Sequence, residues 1–344
     1  MPLPDRIETE AALEEALARP SSADVAFASR LQGDVLVLGA GGKMGPSLAR
    51  RAHRALTEAG SSSRVTAASR FSSADARQGL EADGIRTVVC DLLDPAQIAA
   101  LPAVPNVLFL AGRKFGTTDR TDLTWATNTI VPARVAERFA KSRLVVFSTG
   151  NVYPLVKIGN PAPTEADPPA PVGEYAQSCL GRERVVEFVS RETGMRSLVF
   201  RLNYAVDLRY GTLVDIARKV FAGEAVDLTV GWFNAIWQGD ANSYAFRSLD
   251  LCASPPEVLN VTGPDLISVR ESATWFGEAF GRPPRFEHAE GPVALLSDST
   301  RCRTLLGEPE VPLAVLRKWV ADWVQRGGTL LNKPTHFEVA DGRF

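Results

Sequence analysis

One short stretch limits the folds open to this chain more than any other: Gly39-Ala-Gly-Gly42-Lys-Met-Gly45, which runs directly out of an apolar strand and into a helical pattern. Glycines at that spacing let the backbone adopt positive φ and approach a ligand closely. The N–H groups and dipole of the following helix then face a pyrophosphate. Such a turn has meaning only between a strand and a helix, and the rest of the sequence provides that context. Buried-strand runs recur at Asp34–Leu38, Arg64–Ala68, Thr87–Cys90, Val107–Leu110, Leu144–Phe147 and Leu198–Phe200. Helical patterns fall between most of them, at Lys43–Ala59, Pro95–Leu101, Leu123–Ala140 and Tyr175–Arg191. This alternation predicts an α/β fold, a doubly wound parallel sheet covered on both faces.

The expected organisation is an N-terminal helical extension over 1–30, a nucleotide-binding Rossmann domain over 31–203, and a smaller C-terminal substrate lobe over 204–344 with segments returning to the sheet. In the extension, Glu8–Arg19 reads as an amphipathic helix appended to the sheet. In the lobe, helices are expected near Thr212–Ala222, Ser268–Phe280 and Leu313–Gln325, with strand pieces near Val226–Val230, Asn234–Gln238 and Val258–Val261. The proline-crowded stretch Pro154–Pro171 predicts a long loop beside the site.

Charge and cysteine usage narrow the function class. With 38 basic against 40 acidic residues the net charge is −2, which provides no field for nucleic acid or an anionic membrane. The four cysteines form no CxxC pair and the three histidines have no ligand-like spacing, so free thiols and no metal are expected. No apolar run is long enough to span a bilayer, and the expectation is a soluble cytoplasmic protein acting on a small molecule. Strand two ends Ala68-Ser69-Arg70, where an NAD site usually offers a carboxylate to the ribose. A hydroxyl and a guanidinium suit the 2′-phosphate of NADP, with Lys43 as a second charge, and NAD remains possible.

From these residues onward the chain resembles the extended short-chain dehydrogenase/reductase family, specifically the NAD(P)-dependent epimerase/dehydratase group that includes nucleotide-sugar 4-epimerases, over most of residues 34–310. The resemblance implies cofactor contacts at Gly39, Gly42, Lys43, Met44, Gly45, Ser69, Arg70, at Asp91 and Leu92 after strand three, at Leu110, Ala111, Gly112 and Lys114 after strand four, and at Asn128. Phe147-Ser-Thr149-Gly-Asn151-Val-Tyr153 is similar to the family's SSxxVY segment, which makes Thr149 the hydroxyl partner. Tyr175 falls at the general acid/base and also at the cofactor. Arg113, Asn151, Asn203 and Trp237 are candidates for a sugar or sugar-acid substrate. Trp232 and Phe233 are weighed as stacking faces against a reading as lobe core. Arg201 is weighed as an anion grip against a structural ion pair.

The family motif YxxxK reads here Tyr175-Ala-Gln-Ser-Cys179. Residues i and i+4 share a helix face, so the family lysine stands beside the tyrosine and lowers its pKa. A phenol near pKa 10 is about 0.1% ionised at pH 7, so losing that help costs roughly three powers of ten in phenolate, about 4 kcal/mol. Three readings stay open. Another cation (Lys114, Arg113 or Arg182) or the oxidised nicotinamide supplies the field; or the chain is a nucleotide-binding sensor or scaffold without catalysis; or a lyase or isomerase step runs on the same scaffold. Cys179 is a catalytic candidate set against a plain buried thiol. The leading expectation is an NADP-dependent oxidoreductase or epimerase acting on a sugar or sugar-derived alcohol, working as a homodimer.

Overall fold

The computed structural model describes residues 3–72, 74–114, 119–333 and 335–339. Seven strands, β1 (Val35–Leu38), β2 (Val65–Ser69), β3 (Arg86–Val89), β4 (Asn106–Phe109), β5 (Arg143–Thr149), β6 (Ser197–Leu202) and β7 (Glu257–Val261), form one sheet in the order β7-β6-β5-β4-β1-β2-β3. Every pairing in it is parallel. This is the doubly wound arrangement expected, with the strand order reversing between β1 and β4, where such sheets place their ligand crevice. The strand expected near Val258–Val261 is the seventh member of this sheet.

The alternation of side chains along each strand divides the core into two layers. Val35 and Val37 face one layer with Leu108, Val145 and Phe200. Leu48, Ala52 and Leu56 from helix α3 (Gly45–Glu58) and Phe246 close that layer. Leu36, Leu38, Val107, Phe109 and Val146 face the other, against Val131, Val135 and Val186. Burial on both faces explains why these strands read as continuous apolar runs.

The N-terminal segment is not an appendage. Helix α1 (Glu10–Ala18) buries Leu13 and Leu17, and α2 (Ser22–Ala28) follows it with a capping box at Ser21. The buried Asp24 carboxylate of α2 meets Arg51 of α3 at 2.7 Å. Leu13 and Leu17 belong to a second core shared with α9 (Thr212–Ala222), α11 (Val269–Phe280) and α13 (Leu313–Gln325), so this segment ties the lobe to the sheet. That core also holds Phe337, near the end of the described chain. Among the described residues no helix is long and apolar enough to cross a membrane.

The helix expected over Leu123–Ala140 is interrupted. It runs as α6 (Thr121–Trp125), a π-turn over Ala126–Ile130, and α7 (Val131–Arg138). Pro132 is the physical cause: it has no N–H to give to the carbonyl four residues earlier, Asn128, and the backbone widens there. The freed Asn128 carbonyl accepts instead from Arg182 Nε at 3.2 Å.

Candidate active site

A cavity of about 260 Å³ opens at the carboxyl ends of β1, β4, β5 and β6. The glycine turn forms its cofactor side. Gly39 has φ +88°, and a Cβ there would stand 2.7 Å from the Ala111 backbone nitrogen. At Gly45 a Cβ would fall 2.5 Å from Ala40 Cα. Substitution is thus barred at both positions, by close approach at each and by backbone conformation at Gly39. A Cβ at Gly42 would meet only the Gly39 carbonyl, at 3.2 Å, and otherwise open space. Helix α3 starts behind Met44 with no side chain capping it, so its first amides are available to an anion. A dinucleotide therefore fits this turn.

Ser69 lies against Gly41, and Arg70 is exposed with no ion pair or hydrogen bond among the described residues. Asp91, partly exposed, uses one carboxylate oxygen to accept from Leu93 N at 3.0 Å. Leu92 packs into the sheet core. Leu110 and Gly112 line the cavity, with Ala111 against Gly39. Asn128 is fully buried and braces the loop after β4. Its Oδ1 accepts from Arg113 N at 2.8 Å, and its Nδ2 donates to Arg113 O at 3.0 Å. Arg113 itself does not line the cavity.

Lys43 does not join Arg70. Its side chain reaches the segment after β6, where Nζ donates to the Ala205 carbonyl at 3.0 Å and lies 3.9 Å over the Tyr210 ring. The expected second charge for a 2′-phosphate is thus directed to the cavity, because the apolar chain of a lysine can cross to any nearby carbonyl that lacks a donor. Burial and the neighbouring Lys114 push its pKa down to about 7.

The chemistry side is built on helix α8 (Gly173–Thr193) packed over β5. Tyr175, Cys179, Arg182 and Glu183 recur at intervals of four, three and one along it. Tyr175 lies beside Thr149 and Cys179, close enough for each side chain to act on its phenol. Thr149 also receives Asn151 N at 3.2 Å. Burial first, then Cys179, push the Tyr175 pKa up, while the Arg182 guanidinium and the Thr149 hydroxyl oppose the rise. The phenol is therefore protonated at neutral pH. Cys179 is 1% exposed, and burial raises its pKa above that of a free thiol, which makes it a plain thiol and not a ready thiolate.

Arg182 is locked below the tyrosine, donating to Phe147 O at 2.6 Å and to Asn128 Oδ1 at 2.8 Å. Deeper still, Glu183 accepts from Arg201 at 3.0 and 2.7 Å and from Ser148 Oγ at 2.6 Å, and Arg201 also donates to Tyr153 OH at 2.6 Å. Arg201 is thus a structural ion pair that pins β5, β6 and α8 together, not an anion grip.

Of the substrate candidates, Asn151 and Asn203 line the cavity. Asn203 is already bonded to Asn234 Oδ1 at 2.7 Å. Trp237 is a correction: it sits in the lobe core, 3% exposed and 5.4 Å from the Trp319 ring. In the two-residue strand Ile236–Trp237, Ile236 faces the sheet layer and its neighbour must therefore face the lobe. Phe233 is likewise buried in that lobe core. Residues the sequence did not announce complete the wall: Tyr204, Ala205, Tyr210, Gly211 and Thr335. Thr335 is held there by Asp215 Oδ2, which takes both its N–H and its hydroxyl.

The model of the NAD-dependent epimerase/dehydratase family matches residues 35–206, half of the chain. The chain belongs to that family. Among solved structures it is similar to the UDP-glucuronic acid 4-epimerase of Bacillus cereus in complex with NAD, at TM-score 0.70 and 16% identity over 85% of this chain and 99% of that one. It is also similar to the UDP-Glc/GlcNAc 4-epimerase of Campylobacter jejuni, at TM-score 0.70 and 21% identity over 86% and 100%. The UDP-glucose 4-epimerase of Thermus thermophilus in complex with NAD aligns at TM-score 0.67 and 19% identity over 85% and 99%. No curated protein matches the chain. Where the family motif YxxxK has its lysine, this chain has the thiol of Cys179.

Proposed function

We propose that this family member is an NADP-dependent oxidoreductase or epimerase acting on a sugar or sugar-derived alcohol, with Tyr175 as acid/base and Thr149 orienting the substrate oxygen. The observation that carries the reading is that Tyr175 and Thr149 stand side by side in the wall of one cavity at the carboxyl ends of the strands. Catalytic hydroxyls so paired can hold one substrate oxygen between them. Gly39, Gly42, Met44 and Gly45 would hold the pyrophosphate, Ser69 and Arg70 the 2′-phosphate, Asp91 the adenosine end, and Lys114 the nicotinamide end. Bound there, the nicotinamide supplies a hydride acceptor or donor.

Tyr175 donates its proton to a carbonyl oxygen in the reducing direction without further preparation, because the phenol is protonated. In the oxidising direction it must first lose that proton, and Arg182 is the cation that favours the loss in place of the absent lysine. Lys114 adds a second charge facing Cys179. Met44, Leu110, Phe147 and Leu202 give the cavity an apolar wall that limits water. A homodimer is also part of the reading, formed across the exposed apolar residues Trp125 and Ile130 of the interrupted helix and Phe188 of α8.

The test is fluorescence titration of the protein with NADPH and NADH, followed by a polyol and uronate panel. Micromolar NADPH binding, with about tenfold loss of NADPH preference in Arg70→Ala, supports the cofactor assignment. Turnover on the panel distinguishes an enzyme from a nucleotide-binding scaffold, for which the panel stays silent while NADPH binds.

A further inference from the structure

Both ends of the chain converge on one stretch of the cavity wall. Residues 204–211, after β6, stand across the cavity from the glycine turn, and Lys43 reaches over to them at Ala205 O and the Tyr210 ring. The regular structure of this stretch is a two-residue strand, Ala205–Val206, paired with Ile236–Trp237, and one turn closed by Asp207 and Tyr210. A segment with so few bonds of its own opens locally at low cost unless other elements hold it.

The chain ends supply that hold, and Arg209 is where they meet. From the N-terminal side, Glu14 of α1 accepts from Arg209 Nη1 at 2.7 Å and from Arg50 Nη1 of α3 at 3.1 Å. One carboxylate thereby ties the cavity wall to the helix that begins at the glycine turn. Asp207 holds the other side of the guanidinium, with Oδ2 at 2.8 Å from Nη2. From the C-terminal side, the Arg209 carbonyl accepts from Leu331 N at 3.0 Å. The same tail presents Thr335 to the cavity, fastened to Asp215 Oδ2 through its N–H at 2.9 Å and its hydroxyl at 2.6 Å, and packs Phe337 into the lobe core. The two ends are also bonded to each other. Thr329 Oγ1 donates to Glu10 Oε1 at 2.6 Å, and Arg326 donates to Ile7 O at 2.7 Å and to Glu8 O at 2.9 Å.

We propose that the two chain ends form a clasp on Arg209 that keeps the 204–211 wall closed against the glycine turn, so that its opening sets the rate at which the dinucleotide enters and leaves. Glu14 and Thr335 are the fasteners. The proposal rests on the cofactor assignment above and adds a gate to it. A dinucleotide seated on the glycine turn lies in the cavity that this wall borders, and movement of such a wall commonly limits exchange. Glu14 lies outside the cavity lining. Loosening it therefore destabilises the closed form, empty or loaded, without removing a contact to the nucleotide, and binding and release accelerate together.

The test is stopped-flow fluorescence of the full chain with NADPH, and with NADH in parallel. Glu14→Ala should raise the association and dissociation rate constants together by about tenfold, as for loss of one charge-assisted hydrogen bond, with Kd within about threefold of wild type. Glu14→Gln keeps a neutral acceptor for Arg209 and should give a smaller rise, and Thr335→Val should also raise both rates. Unchanged rates in Glu14→Ala, or a rise in dissociation alone, overturns the gate. A second measurement needs no nucleotide: amide hydrogen exchange over 204–211 and 329–333 should be about tenfold faster in Glu14→Ala, with β1 and β4 exchanging as in wild type. Unchanged exchange there, or faster exchange throughout the chain, overturns the clasp. Failure of both nucleotides to bind the wild type would overturn the cofactor assignment together with its gate, a result distinct from binding at unchanged rates, which overturns the gate alone.

Discussion

The two halves of the cavity are held by different means. On the cofactor side the turn depends on backbone: Gly39 and Gly45 stand so close to Ala111 and Ala40 that no side chain fits. On the chemistry side the geometry depends on buried charge and hydrogen bonds, with Glu183, Arg201, Arg182 and Asn128 joining α8 to β5, β6 and the π-turn. Backbone approach allows no alternative residue, whereas a charge can be supplied from several directions. The chain keeps every glycine of its turn and yet replaces the lysine of YxxxK, and cations from three other places, the glycine turn, the β4 loop and the next turn of α8, face the same cavity.

Substitutions on each side sharpen that contrast, beginning with the largest effect. Tyr175→Phe should lower kcat about a thousandfold with nucleotide affinity unchanged, as for loss of a general acid/base. Activity within threefold of wild type would mean that the chemistry side is not organised around this phenol. Glu183→Gln leaves Arg201 buried without its counter-charge and should cost about 3 kcal/mol or more, read as a lower denaturation midpoint. An unchanged midpoint would break the claim that charge holds this half. Gly39→Ala should destabilise the fold by about 1–2 kcal/mol for the left-handed conformation alone and abolish NADPH binding at micromolar concentrations.

Cys179→Lys addresses the substitution that defines the chain. A lysine there would be a fourth cation beside Lys114 and Arg182, so kcat should fall severalfold; a rise would mean that the cavity still lacks the family charge. The last test is one of pH. Because the Tyr175 pKa is raised, the fraction of phenolate grows with each unit of alkalinity, and alcohol oxidation should accelerate steadily above pH 8 while carbonyl reduction does not. Equal pH profiles in the two directions would separate Tyr175 from the proton transfer.

The strands were legible because burial on both faces leaves uninterrupted apolar runs, and the observed ends of β1, β2 and β4 differ from expectation by one residue. Helix Thr212–Ala222 matches its expected span, since it carries a regular apolar stripe. Helix α10 (Gln238–Arg247) was not legible. Its opening residues, Gln238 to Ser243, are mostly polar, yet they are buried, and Gln238 and Asn242 are bonded to Ser47 of α3. Polar residues of this kind are stable inside only because a distant element supplies their partners. The same limit applied at the site. Thr149 and Tyr175 were found through motif spacing, whereas Tyr210 and Thr335 come from segments with no local signature.

By itself, the sequence determined the alternation of strand and helix, the glycine turn and the tyrosine helix, because each is a local requirement of backbone conformation or of side-chain periodicity. Only the tertiary structure decided where the charges went. Lys43 turned from the phosphate turn into the cavity, Arg201 became a buried strut, and Trp237 joined the lobe core. A long side chain can satisfy its charge or its surface in several directions, and the choice depends on which carbonyl, carboxylate or ring the folded chain brings within reach.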